Sequence, residues 1–147
     1  MADGMLELSI QEALDTFVRD ADVRGIQLIE RSGVTVASSG DLLRVDPTSL
    51  GSVAAGNMSS AGSLARLVGA DDFSFLLLEG TSQHAALMSV HEGMFVLVLF
   101  DQRSNAGVVR WRGRRLAAGL AHLLGGARAP AARVPISDEE IDELFAH

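Results

Sequence analysis

Cysteine and lysine are both missing from this chain of 147 residues, and each absence removes a body of chemistry. Without cysteine there are no disulfides, thiolate metal sites or Cys nucleophiles. All 12 basic residues are Arg, so the P-loop lysine, Schiff-base chemistry and Lys general bases are excluded together. A long apolar run is also missing. The longest, residues 94–100, is too short to cross a bilayer and lies between a Gly turn and Asp101, as a buried strand would. Residues 1–8 carry Asp3 and Glu7 and no basic stretch followed by an apolar one, so no secretory signal is expected and the cytoplasm is the expected location. The net charge of -7 argues against a general nucleic-acid binder, because phosphate neutralisation needs a basic surface.

Catalytic patterns are equally sparse. No G-x-x-x-x-G-K-[ST] loop occurs, and Gly-rich stretches such as residues 51–56 are helical in pattern. His84, His91, His122 and His147 do not form i, i+4 pairs, which argues against a His-rich metal site. There is no G-x-S-x-G elbow. Asp71-Asp72 reads as a turn cap before a strand rather than as a catalytic carboxylate pair. No cofactor, metal or catalytic residue is expected.

What is present is the material of one globular domain, with 48% hydrophobic residues. Ile10, Ala13, Leu14, Phe17 and Val18 lie on one helical face over residues 9–21, with Ser9 as N-cap and Glu12 three residues later. Residues 23–30 and 34–38 are rich in branched side chains and separated by Arg31-Ser32-Gly33, a hairpin pattern. Asp46-Pro47 starts a second helix that runs to a cap at Gly69. Strands are expected at 73–79, 83–90 and 94–100, the last apolar on both faces and therefore central. Asp101 to Asn105 then caps a third helix carrying Val108, Val109, Leu116, Leu120, Leu123 and Leu124 up to Gly125-Gly126. The expected fold class is α+β, in the order α-β-β-α-β-β-β-α, with an antiparallel five-stranded sheet between helices. The expected division is a domain over 1–126, a linker over 127–135 containing Pro130 and Pro135, and a C-terminal docking helix or tail over 136–147.

Two features stand out. In the second helix Leu50, Val53, Ala54, Met58, Ala61, Leu64 and Val68 form an apolar stripe of core type, while Ser52, Gly56, Ser59, Gly62 and Ser63 form a smooth stripe of small residues. Gly56 and Gly62 oppose helicity by roughly 2 kcal/mol together unless close packing returns that energy. Small side chains admit a close neighbour and lose little rotamer entropy on docking. The neighbour is either a protein partner or another element of the same chain. The second feature is the tail. Ser137 and Glu140 make a capping box, Ile136 and Ile141 a hydrophobic staple, and Asp138, Glu139 and Glu140 suit the positive end of a helix dipole. A helix this short is marginal in water and should form mainly when docked. Its apolar face would be Ile141, Leu144 and Phe145, docking on a partner or folding back on its own domain. Arg110, Arg112, Arg114 and Arg115 in the third helix form the main positive patch, either a solvated face or a seat for an acidic segment, the tail included.

The element order, the stretch Asp46-Pro-Thr-Ser-Leu-Gly-Ser-Val-Ala-Ala-Gly-Asn57 and the stretch Phe100-Asp-Gln-Arg-Ser-Asn-Ala-Gly-Val-Val-Arg110 resemble the Roadblock / dynein light-chain family. The tail Ile136-Ser-Asp-Glu-Glu-Ile-Asp-Glu-Leu-Phe145 is similar to the C-terminal motif of its bacterial MglB-type members, which are GTPase-activating proteins. This resemblance implies a homodimer joined through the second helix and third strand, with Met58, Gly62, Phe75 and Leu77 near the interface. It implies a small Ras-like GTPase of MglA type docked on the helical face through Ser52, Gly56, Ser59 and Ser63, with Ile141, Leu144 and Phe145 making a separate contact. It further implies a role in bacterial cell polarity or motility, with concentration at a cell pole. MglB-type activators rearrange the GTPase rather than insert an arginine finger, so the catalytic groups would belong to the partner. Ser59 and Ser63 place hydroxyls where the family pattern favours Ala or Gly. The alternative is a non-activating Roadblock adaptor or scaffold that uses the same surface, and a third is a profilin-shaped small-molecule sensor, which would need a pocket with converging polar groups.

Overall fold

A computed structural model describes residues 2–42, 44–71, 73–91 and 93–125. The elements run α1 (Ala2–Ala21), β1 (Gly25–Glu30), β2 (Thr35–Gly40), α2 (Pro47–Leu67), β3 (Phe75–Glu79), β4 (His84–His91), β5 (Met94–Phe100) and α3 (Ala106–Gly125). The order and kind of these eight elements match the expectation from sequence, while the expected linker over 127–135 and C-terminal helix over 136–147 lie outside the described residues. The start of α1 does not match: the helix begins at Ala2, so Ser9 lies inside it rather than at its N-cap. Residues 2–8 contain good helix formers and no breaker beyond Gly4, so the capping-box pattern at Ser9 is overridden by propagation from upstream.

All five strands form one antiparallel sheet in the order β2-β1-β5-β4-β3. The β1–β2 hairpin and the β3–β4–β5 meander are joined by the pairing of β1 with β5, which puts the wholly apolar β5 at the centre. Alternation along the strands then feeds two cores. On one face Ile26, Leu28, Ala86, Met88, Val96, Val98 and Phe100 pack under α1 and α3. On the other, Ile29, Leu87, Phe95 and Leu97 pack with Ala54 and Met58 of α2. Among the described residues, two helices therefore cover one face and a single helix the other.

The seat of α2 is set at its start. Asp46 caps it, accepting from the backbone N–H of Ser49 at 3.2 Å and its hydroxyl at 2.9 Å, and Pro47 occupies the first turn. Gln27 is fully buried beneath that turn, and its Nε2 donates to Thr35 Oγ1 at 2.6 Å and to the Pro47 carbonyl at 3.1 Å, tying β1, β2 and α2 together. The helix ends as expected at Gly69, whose φ of +77° turns the chain while the Ala70 N–H donates to the Ala65 carbonyl at 2.8 Å.

The face that α2 buries differs from the expected stripe. It consists of Gly51, Ala54, Met58, Ala61 and Ala65, whereas Val53, Leu64 and Val68 are exposed. The side chains that reach the sheet are mostly small because the helix lies close to it. A Cβ added at Gly51 would stand 2.5 Å from the Gly33 carbonyl oxygen in the β1–β2 turn. Large side chains are displaced to the flank by that proximity.

Candidate protein-interaction surface

Ser52, Gly56, Ser59 and Ser63 recur along α2 at spacings of four and three residues and are all exposed. At about 100° per residue they fall within one narrow arc, opposite the buried face. The helix thus presents its smoothest strip outward. A Cβ added at Gly56 would meet nothing within 4 Å, and one at Gly62 only the tip of Arg66 at 3.7 Å, so neither glycine is required by packing within the chain. Gly51 is the interior glycine of α2 whose missing side chain the chain itself uses. Arg66 donates to Ser63 Oγ at 3.1 Å and sets a positive charge at one end of the strip.

Beside this strip, about a quarter turn round the helix, lie Val53, Leu64 and Leu67, the first 66% and the last 84% exposed. Exposed aliphatic side chains in a row on a helix flank mark a surface that gains by being covered. The same side of the sheet is incompletely roofed at its β3 edge. Leu78, Ala85 and Leu99 stand in one register row on the α2 face. They line a shallow depression of about 470 Å³ together with Glu79 and His84. Its lining is largely aliphatic, and His84 is already engaged, accepting from the Gly80 N–H at 3.2 Å and lying 5.2 Å from the Phe100 ring. Converging polar groups of the kind a small-molecule sensor needs are not gathered there among the described residues.

The residues expected at a dimer interface are not all together. Met58 is buried against the sheet in the α2 core. Gly62 is half-buried on α2. Phe75 and Leu77 pair with Met88 and Ala86, which places them on the face under α1 and α3, and the Arg110 guanidinium lies 4.7 Å above the Phe75 ring. The β3 residues on the α2 face are Leu76 and Leu78, as period-two alternation requires, while Phe75 and Leu77 stand on the same edge strand, where the expected strand pairing would run. Ile141, Leu144 and Phe145 lie outside the described residues.

The four Arg of α3 occupy the opposite side of the sheet from α2. Arg112 and Arg115 stack on Trp111, their guanidinium carbons 5.2 and 5.4 Å from the ring centroid. The sheet lies between this cluster and α2, with Arg110 nearest the β3 edge, over Phe75. Among the described residues no group of His, Asp and Glu could hold a metal ion, and no helix is long and apolar enough to cross a membrane.

A five-stranded antiparallel sheet with two helices on one face, and one outward-presented helix beside an open strand edge on the other, defines a small interaction module. The chain belongs to the Roadblock/LC7 domain family, whose model matches residues 9–100. Among solved structures it is similar to MglB of Myxococcus xanthus at 29% identity, over 79% of this chain and 94% of that one, with a TM-score of 0.76. It is also similar to the gliding protein MglB of Thermus thermophilus at 25% identity, over 76% and 85% of the two chains, with a TM-score of 0.70. A Roadblock/LC7 domain from Streptomyces avermitilis shares the fold at 16% identity and a TM-score of 0.71, over 79% and 98%. No curated protein sequence matches the chain.

Proposed function

We propose that the chain is a homodimeric, non-catalytic regulator that binds a small Ras-like GTPase of MglA type and stimulates its hydrolysis of GTP, in the service of bacterial cell polarity or motility. The observation that carries this reading is the outward face of α2, where an uninterrupted strip of small residues, including a glycine that intrachain packing does not need, stands in a chain similar to MglB. In the homodimer, the exposed flank of α2 and the β3 edge cover each other across a two-fold axis, with Met58 and Gly62 behind the contact and Leu76 to Leu78 along it. Phe75 and Leu77 line the other face of the same edge strand. The GTPase sits on the paired α2 helices through Ser52, Gly56, Ser59 and Ser63. Residues 136–147, with Ile141, Leu144 and Phe145, supply a second contact from a tail joined to the domain by residues 127–135.

Stimulation without an arginine finger fits the α3 Arg cluster lying behind the sheet and the one Arg of α2, Arg66, being tied to Ser63 of its own helix. The activator acts by holding the GTPase in the arrangement that meets the phosphoryl-transfer transition state with its own residues. One observation favours the adaptor reading instead: Arg66 ties up Ser63 and places charge at the end of the strip, where a smooth docking face would be neutral. Single-turnover GTP hydrolysis by the MglA-type GTPase of the same organism, with and without this chain, separates the two. Binding with acceleration supports the activator; binding without it supports the adaptor.

A further inference from the structure

Behind the sheet, on the side away from α2, a groove of about 240 Å³ runs between α1 and α3. Phe17 and Leu116 floor it, Thr16 and Asp20 form the α1 wall, and Arg112 and Arg115 form the α3 wall. The two guanidinium groups are stacked on Trp111, so their cations are held at the groove's rim. Helix α3 carries Arg110, Arg112, Arg114 and Arg115 and no acidic residue. An apolar floor beneath a cationic wall suits an amphipathic segment with an aliphatic or aromatic face and acidic flanks.

We infer that this groove is the resting seat of the chain's own residues 136–147. Those residues hold Asp138, Glu139, Glu140, Asp142 and Glu143 and no Arg, with Ile141, Leu144 and Phe145 at i, i+3 and i+4. Seated there, the apolar triad lies over a floor whose Phe17 and Leu116 are already nearly buried, and charge pairing carries the contact, the carboxylates facing Arg112 and Arg115 on the wall across from Asp20. The tether permits it: Gly125 ends α3 about 20 Å along the axis from Arg112, and residues 126–135 can span up to about 33 Å. A short tether raises the local concentration of the tail enough for a weak contact to be populated. A second copy laid on the same groove would set four Arg against four Arg, and a nucleic acid would meet a chain of net charge -7, so neither fits as well. The inference rests on reading the tail as a docking helix. It adds that the tail is held on its own domain, on the face opposite the GTPase strip, until a GTPase recruits it.

The absence of cysteine gives a clean test on the full-length chain. A spin label on His147→Cys should broaden the amide signals of Thr16, Asp20, Arg112 and Arg115 and leave Ser59 and Ser63 sharp. The broadening should be lost in high salt, in the double variant Arg112→Glu with Arg115→Glu, and in Phe145→Asp. Mixing spin-labelled chain with isotope-labelled chain should transfer little of it, because the contact lies within one chain. Unbroadened groove signals, broadening centred on Ser59 and Ser63, or strong transfer between chains would each overturn the inference. No GTPase is present in this measurement, so its failure leaves the proposed GTPase activation standing, and loss of activation in a hydrolysis assay leaves the tail's seat untouched.

Discussion

Two glycines on one helix have opposite reasons for being there. Gly51 is fixed by sterics, since a Cβ would press on the Gly33 carbonyl at 2.5 Å, and that neighbour is backbone with little room to give. Gly51→Ala should therefore destabilise the fold by about 1–3 kcal/mol despite alanine's better helix propensity. Gly56 has open space around it, so Gly56→Ala should stabilise by up to about 1 kcal/mol. Urea denaturation with an unchanged m-value reads both, and equal signs for the two variants would contradict the difference in environment. In the sequence the two positions look alike. Only the tertiary approach of the β1–β2 turn separates them. Ser59 belongs with Gly56: it is exposed on the strip, and Ser59→Arg should abolish GTPase binding in titration calorimetry while the circular dichroism spectrum is retained. Undiminished affinity would remove the strip from the interface.

Three carboxylates, Asp15 and Asp46 exposed and Asp101 half-buried, give the residue scale its pH dependence. The Ser39 hydroxyl, at 2.6 Å, and then the Gln11 amide hold Asp15 below the usual carboxylate range. The Ser49 hydroxyl does the same for Asp46, and the Arg103 backbone N–H and then its side chain for Asp101. Each folded carboxyl gives up its proton more readily than the unfolded one, so its stabilisation is fully present above about pH 4 and is lost as pH falls further, through the folded values. Melting temperature should fall most steeply below about pH 4, and Asp15→Asn should flatten that slope. An unchanged acid limb in the variant would deny Asp15 a part.

At the scale of elements, the ends of α2 and the centrality of β5 were written in the sequence by local signals: Asp46-Pro47, Gly69 and an unbroken apolar run. The buried face of α2 was not. Hydropathy alone selects Val53, Leu64 and Val68 for the core, whereas the sheet admits Gly51, Ala54, Ala61 and Ala65 beside Met58 because the helix sits so near it. The large side chains left outside are a better sign of a partner than the pattern from which they departed. Leu67 is 84% and Leu78 is 46% exposed, so neither is needed by the isolated fold. The double variant Leu67→Asp with Leu78→Asp should sediment as a folded monomer where the parent chain sediments as a dimer. A persisting dimer would place the two-fold contact elsewhere. The parity of β3 shows the same limit: the strand was legible, but which of Phe75, Leu76, Leu77 and Leu78 share a face with α2 follows from pairing with β4.

At the scale of the whole molecule, the sheet divides the chain into two surfaces with different chemistry. The α2 side is smooth, with serines, glycines and exposed aliphatics; the α3 side is cationic, with a groove toward α1. The element order and the family were legible because capping, turn and apolar-run signals agreed with one another. The junction of hairpin and meander through β1 and β5 was not, since strand pairing across some 70 residues leaves no local mark. On the proposed function, the separation of the surfaces would let the chain offer a GTPase a scaffold on one side, with the α3 Arg cluster on the other. Single-turnover hydrolysis of GTP by the MglA-type GTPase, followed with saturating amounts of this chain, tests that account most directly. The rate should rise at least about tenfold, equivalent to roughly 1.4 kcal/mol of transition-state stabilisation, should survive Arg112→Ala and Arg115→Ala, and should vanish in Ser59→Arg. A rate that stays at the GTPase's intrinsic value while the two proteins remain bound, or one that depends on the α3 arginines, would contradict it.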